Sequence, residues 1–126
     1  MGSKIKVEIR LEVWNKYKNR CAYCGQKITF RKMQVDHITP IYRGSLQSEL
    51  SVVKGKNNIS NYNPSCGSCN SSKSTYTLEH WRDEILLKQD RVRRDSSTFR
   101  LLERFGLVKC NKNIVKFYFE KEVYNG

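Results

Sequence analysis

Apolar residues recur at helical spacing close to the N-terminus of the chain. Val7, Leu11 and Trp14 fall on one face of a helix and Val13 adjoins them, so residues 6–19 are predicted to form an amphipathic helix packed on the core. Because Trp14 lies inside this apolar stripe, packing in the core is favoured over stacking on a nucleic-acid base.

Further along, changes in periodicity and the turn residues predict six more elements. Two short strands within 27–37 meet near Arg31-Lys32, and a half-buried strand covers 114–120. One helix starts at about 66 with Ser65 as its cap, and another, Thr98–Phe105, is capped by Ser96 or Ser97 and closed by Gly106. Between them, a helix from Thr77 to about Arg93 buries Leu78, Trp81, Ile85 and Val92. Residues 39–60 have little period and are predicted to form a long connection. The pattern indicates an α+β fold.

The charge balance changes the picture, because Lys and Arg number 24 against 12 Asp and Glu in 126 residues. The resulting charge of +12 and the isoelectric point of 9.7 favour a polyanionic partner. No apolar run is long enough for a membrane span, so no membrane partner is expected. The N-terminus lacks the apolar region of a signal peptide, which predicts a reducing cytoplasm.

Four of the five cysteines form two C-x-x-C pairs. Cys21 and Cys24 make the first pair, Cys66 and Cys69 make the second, and 41 residues lie between the pairs. In a reducing compartment this spacing favours a structural zinc ion held by four thiolates over a disulfide framework. Cys110 has no partner in the pattern and is interpreted as a plain thiol.

Between the two pairs, Asp36 and His37 end a strand-like run directly before a proline-containing turn. A helix starting near 66 would place four residues on one face: Cys66, Cys69, Asn70 and Lys73. Two zinc ligands, an amide and a cation would thus converge from one element.

Together these motifs resemble the HNH endonucleases of the ββα-metal class, in particular their zinc-stapled branch. The matching pattern is Cys21/Cys24, Asp36-His37-Ile38-Thr39-Pro40, Asn61, and Cys66/Cys69-Asn70-Ser71-Ser72-Lys73. The resemblance covers about residues 10–75. It implies a ββα-metal core with a zinc knuckle and an N-terminal helix over 1–76, and it leaves 77–126 as a basic helical and strand extension packed on the same domain.

The resemblance also implies the roles of individual residues. His37 would be the general base, Asp36 and Asn70 would hold one divalent cation (Mg²⁺ or Mn²⁺), Asn61 would constrain the histidine and its loop, and Lys73 would lie near the phosphate. Many relatives carry a histidine where this chain has Asn70. The chemistry agrees, because a neutral imidazole accepts protons and carboxylate and amide oxygens suit hard cations.

The implied activity is hydrolysis of phosphodiester bonds in DNA, most simply duplex DNA, in a bacterial or phage-infected cell. A homodimer or a larger nuclease assembly is compatible with the sequence. Basic residues expected to contact phosphates are Arg43, Lys54, Lys56, Arg91, Arg93 and Arg94. Two rival functions stay open: a non-catalytic zinc module that only binds nucleic acid, and an accessory or inhibitor module that retains the HNH form.

Overall fold

The computed structural model describes residues 5–41 and 57–122, which form a mixture of helices and one small sheet. The elements are α1 (Val7–Asn15), β1 (Gln34–His37), a short 3-10 helix (Ile59–Asn61), β2 (Tyr62–Ser65), α2 (Gly67–Lys73), α3 (Leu78–Asp95), α4 (Ser97–Arg104) and α5 (Tyr118–Glu122). This confirms the predicted α+β class. None of the helices in these two ranges has the length and apolar character that a bilayer span requires.

The sheet joins two strands that are far apart in sequence. β1 and β2 pair antiparallel, with Asp36 opposite Asn63 and His37 opposite Tyr62. The predicted pairing of two strands within 27–37 is therefore wrong. The Thr29–Lys32 turn has no Gly or Asn to supply the backbone of a tight hairpin, and β1 pairs with distant residues instead.

Helix α1 is shorter than predicted and buries a different face. It ends at Asn15 because Lys18 and Asn19, just beyond it, have φ of 56° and 64°, in the left-handed region. The predicted stripe is wrong for Val7 and Leu11, which are 60% and 39% exposed, whereas Val13 is fully buried.

The core of this region is small and is reinforced by hydrogen bonds from α1. Val13 packs with Met33 and Tyr62. Trp14 packs against this cluster as predicted, and its indole donates to the Ile28 carbonyl (2.8 Å). Arg10 donates to the Met33 carbonyl (2.9 Å). The helix thereby fixes the segment that leads into β1.

The chain divides into two compact units, one within Met1–Leu78 together with Lys116–Gly126 and the other Glu79–Val115. The proposed boundary at 76/77 stays a prediction. In the second unit, the Ser96 hydroxyl accepts from the Phe99 amide (3.0 Å) and caps α4, and Gly106 follows that helix with φ of 71°, both as predicted. Val92, predicted to be buried, is 41% exposed.

The C-terminal segment differs most from its prediction. Residues 114–120 alternate like a strand, but Tyr118–Glu122 forms a helix. The Glu120 carboxylate accepts from the Phe117 amide (2.8 Å), while the amides of Tyr118 and Phe119 donate to the Tyr23 and Ala22 carbonyls (3.0 and 2.7 Å). These bonds turn the backbone into a helix and attach it to the first C-x-x-C turn.

Candidate functional site

The four cysteines of the two C-x-x-C pairs meet in space. Cys21 and Cys24 lie on a turn closed by Gly25, whose φ is 79°. The second pair stands at the start of α2, where Cys66, and not the predicted Ser65, caps the helix by accepting from the Cys69 amide. A sulfur at this position reaches both the helix end and the other three sulfurs.

The donor set fits a tetrahedral zinc ion. All four Sγ atoms lie within 4.8 Å of one another, and those of Cys24 and Cys66 are 3.9 Å apart. Zinc–thiolate bonds of about 2.3 Å require sulfur separations of about 3.8 Å, so small side-chain shifts suffice. The hydrogen bond with the Cys69 thiol lowers the pKa of Cys21 to about 4, so one thiolate is already favoured. The cluster could therefore hold zinc.

Asp36 lies in β1 and is almost completely buried, at 5% exposure. Its Oδ2 accepts from the Tyr23 hydroxyl (2.5 Å) and lies 3.1 Å from Lys73 Nζ. Burial raises the pKa of the Asp36 carboxyl, and the Lys73 ammonium opposes that rise. The carboxylate is thus held by a neutral donor and a cation.

Lys73 is fully buried at the end of α2. Besides its pairing with Asp36, its Nζ donates to the His37 carbonyl (2.9 Å). The side chain is therefore directed at the strand and not at a surface where a phosphate could lie.

The His37 ring is held on two sides. Its Nε2 is 2.9 Å from Asn57 Oδ1, and its ring meets the Tyr62 ring edge to face, with centroids 5.2 Å apart. Because an amide oxygen only accepts, Nε2 is the donor in this contact, and in the neutral ring Nδ1 then carries the lone pair. The ring is therefore oriented with one basic nitrogen available.

Asn61 fastens the loop that follows His37. Its Oδ1 accepts from the Thr39 amide (2.8 Å), its Nδ2 donates to the Thr39 carbonyl (2.9 Å), and its own carbonyl accepts from the Ile38 amide (2.8 Å). These bonds attach the Asn61 side chain to the backbone of the loop that follows His37.

Asn70 completes one side of a cleft with Asp36 and His37. The cleft is lined by Val35, Asp36, His37, Pro40, Ile41, Asn70 and Ser74. The Asn70 amide nitrogen donates to Gln34 Oε1 (2.5 Å), which leaves its Oδ1 available to a cation. Strand β1 and helix α2 therefore bring the adjacent residues Asp36 and His37 together with Asn70, which follows His37 by 33 positions.

Comparisons with known proteins show which family the segment with these residues resembles. Residues 21–75 match the family model described as HNH endonuclease. The chain carries an HNH endonuclease domain. This HNH domain contains both cysteine pairs, Asp36, His37, Asn61, Asn70 and Lys73.

Two similar proteins show the extent of the match. The chain is 39% identical over 77 residues to a protein of Bacillus subtilis (strain 168) named "SPbeta prophage-derived putative HNH endonuclease YoqL", covering 54% of this chain and 30% of that protein. The crystal structure of the Type II-C Cas9 enzyme from Actinomyces naeslundii is similar with a TM-score of 0.52 and 25% identity, over 68% of this chain and 9% of that enzyme. The chain thus spans less than a third of either relative.

The basic residues predicted to contact phosphates lie outside this HNH domain or outside the described residues. Arg43, Lys54 and Lys56 belong to the latter group. Arg91, Arg93 and Arg94 are exposed, and their guanidinium groups pair with the carboxylates of Glu84, Glu103 and Asp95 at 3.2, 2.9 and 2.7 Å. His80, the second histidine, is exposed on α3.

Sequence reasoning missed four residues that support the HNH site. They are Tyr23, Gln34, Asn57 and Tyr62. Asn57 was visible only as one of several asparagines near Asn61, and Tyr23 only as a filler between two cysteines. No local signal marks such residues, because their partners lie far away in sequence.

Proposed function

We propose that the protein is a metal-dependent endonuclease that hydrolyses phosphodiester bonds in duplex DNA, with His37 as general base and one divalent cation held by Asp36 and Asn70. The observation that carries the proposal is the shared cleft of these three side chains inside a domain of the HNH endonuclease family. The charge of +12 suits a polyanionic substrate. We place the protein in the cytoplasm of a bacterial or phage-infected cell, where thiols stay reduced for zinc.

The chain's own residues supply the base and its orientation. Nδ1 of His37 accepts a proton from the attacking water, since Nε2–H donates to Asn57. Asn61 fixes the loop that follows His37 by its hydrogen bonds to Thr39, so that the His37 ring keeps its orientation. A bound Mg²⁺ or Mn²⁺ would neutralise charge on the phosphate and the departing oxygen.

Lys73 has a different place in this proposal from the phosphate contact expected from the sequence. Because it is fully buried against Asp36 and the His37 carbonyl, we assign it the positioning of both site residues. Its charge also opposes the rise in the pKa of Asp36 that burial causes, and so favours the carboxylate form that a cation binds.

The proposal is tested by cleavage of supercoiled plasmid with and without Mg²⁺. His37→Ala should lower the cleavage rate by about 10² to 10⁴-fold, the usual contribution of a positioned base, with little change in DNA affinity. His80→Ala, at an exposed position of α3, is the control and should cut at the wild-type rate. Equal rates for His37→Ala and the wild type would refute the assignment of the base.

Asn70→Ala is the cleaner test of the cation site. It removes a ligand from the cleft and should raise the Mg²⁺ requirement as well as slow the reaction. Asp36→Ala would in addition leave Lys73 buried without its partner, so a loss of activity there would have two causes.

One observation favours a non-catalytic zinc module that only binds nucleic acid: Asp36 is already engaged by Tyr23 and Lys73. That function predicts DNA binding with no Mg²⁺-dependent cleavage by the wild type.

A further inference from the structure

Tyr23 joins three parts of the first compact unit through one side chain. Its backbone lies between Cys21 and Cys24, its hydroxyl reaches Asp36, and its ring packs against the C-terminal segment. It is 4% exposed, so the hydroxyl acts inside the protein.

The hydroxyl is committed to the carboxylate. It donates to Asp36 Oδ2 at 2.5 Å, and it can accept from Asn63 Nδ2 at 3.4 Å, whose residue stands opposite Asp36 in the sheet. A phenol is protonated at neutral pH, so the hydroxyl keeps the proton that it donates. The donor is neutral and therefore fixes Asp36 without repelling a cation.

The backbone of Tyr23 is held by the cysteine turn. Its amide is directed at Cys21 Sγ (3.4 Å), and the neighbouring Ala22 amide donates to the Pro64 carbonyl of β2 (2.8 Å). A displacement of the cysteine turn would therefore move the hydroxyl relative to Asp36.

The Tyr23 ring packs against the C-terminal segment, which follows the second compact unit in sequence. Phe117 and Phe119 meet it edge to face, with centroids 5.4 and 5.9 Å away and interplanar angles of 81° and 87°. The Tyr118 amide also donates to the Tyr23 carbonyl (3.0 Å). The C-terminal segment thus braces the same tyrosine.

We infer that Tyr23 is a positioning residue that holds Asp36 in the orientation required by the divalent cation and couples that carboxylate to the four-cysteine cluster. The inference rests on the proposed function, because it assigns Asp36 to a cation site. Donors that orient a metal ligand typically contribute 10- to 100-fold to metal affinity or activity.

Tyr23→Phe tests this, since it keeps the ring and removes only the hydroxyl. Mn²⁺ binding by the full-length zinc-loaded protein is followed by electron paramagnetic resonance, together with zinc content. We expect Tyr23→Phe to retain one zinc and to bind Mn²⁺ at least 10-fold more weakly than the wild type. The control is Tyr17→Phe, whose ring also packs on Phe119 (6.1 Å between centroids) and which should bind Mn²⁺ like the wild type.

A second measurement needs no variant that must fold. In wild-type protein labelled with ¹³C at tyrosine Cζ, adding Mg²⁺ should shift the Tyr23 resonance and leave that of Tyr17 unchanged. An unmoved Tyr23 resonance in protein that binds the cation would overturn the inference.

The remaining outcomes separate the inference from the function on which it rests. If Tyr23→Phe binds Mn²⁺ as tightly as the wild type, or if Tyr17→Phe loses as much Mn²⁺ affinity as Tyr23→Phe, the role inferred for Tyr23 is contradicted. The proposed function is not affected by either result. A wild-type protein that neither binds Mn²⁺ nor cleaves DNA contradicts the proposed function itself, and the inference with it.

Discussion

The buried pair of Asp36 and Lys73 should dominate the response of the fold to substitution at the site. The two charged groups are 3.1 Å apart, with exposed fractions of 5% and 0%. Removing one partner leaves the other charge buried without compensation, which typically costs about 3–5 kcal/mol. Asp36→Asn and Lys73→Met should therefore each destabilise the protein by about that amount.

The double variant Asp36→Asn, Lys73→Met should be less destabilised than either single variant. Neither charge then remains buried, and replacing a buried pair by neutral groups is often close to neutral. What is lost is the bond from Lys73 to the His37 carbonyl, about 1 kcal/mol. With single losses of about 3–5 kcal/mol each and about 1 kcal/mol for the double variant, the coupling free energy should be about 5 kcal/mol or more.

The assay is urea unfolding of the zinc-loaded protein, followed by circular dichroism. The matched control is the exposed pair of Lys112 and Asp90, 3.3 Å apart with exposed fractions of 82% and 55%. Neutralising either partner there should leave the unfolding midpoint unchanged. If the effects of Asp36→Asn and Lys73→Met simply add, the two charges are independent and the reasoning from burial is refuted.

Two further outcomes test the zinc cluster and the turn that carries it. Protein purified without added metal should contain about one zinc per chain by elemental analysis. Cys66→Ser should lose the zinc and melt at a sharply lower temperature, whereas the control Cys110→Ser should keep its zinc and its melting temperature. A Cys66→Ser protein that retains zinc and stability would contradict the cluster. Gly25→Ala should destabilise the protein more than Gly106→Ala in the same urea assay. Gly25 and Gly106 have φ of 79° and 71°, and a left-handed backbone costs an alanine about 1–2 kcal/mol at either position. At Gly25, but not at Gly106, the new Cβ would also come within 2.9 Å of the Tyr118 ring. Equal destabilisation by the two variants would mean that the Tyr118 ring moves away at no cost.

The sequence by itself determined the resemblance to HNH endonucleases and the four-cysteine cluster, and it predicted the other residues of the site. Two C-x-x-C pairs, an Asp-His pair and Asn70 stand at spacings that few other sites require, so they could be read without coordinates. The two ends of α4 could also be predicted from nearby residues, because the Ser96 side chain caps its start and Gly106 supplies a left-handed backbone just after its end. These signals act over a few residues, and a linear pattern contains them.

Only the tertiary structure decided which distant segments pair. Residues 34–37 look like half of a local hairpin, but β2 provides a partner whose Pro64 and Ser65 are buried. The alternation over 114–120 indicates a strand, yet the amides there find acceptors on the cysteine turn and a helix forms. The alternation of apolar and polar residues does not indicate which backbone groups elsewhere in the chain will accept or donate hydrogen bonds.

The same limit applies inside the site. From the sequence, a lysine four positions after Cys69 is expected to be a surface cation facing phosphate. In the structure Lys73 is buried against Asp36, and on that basis we propose a positioning role for it instead. Tyr23 has no signature at all, because its significance comes from a contact with Asp36, 13 residues away. Electrostatic partners and supporting hydrogen bonds depend on packing between elements, so they appear only when the chain is folded.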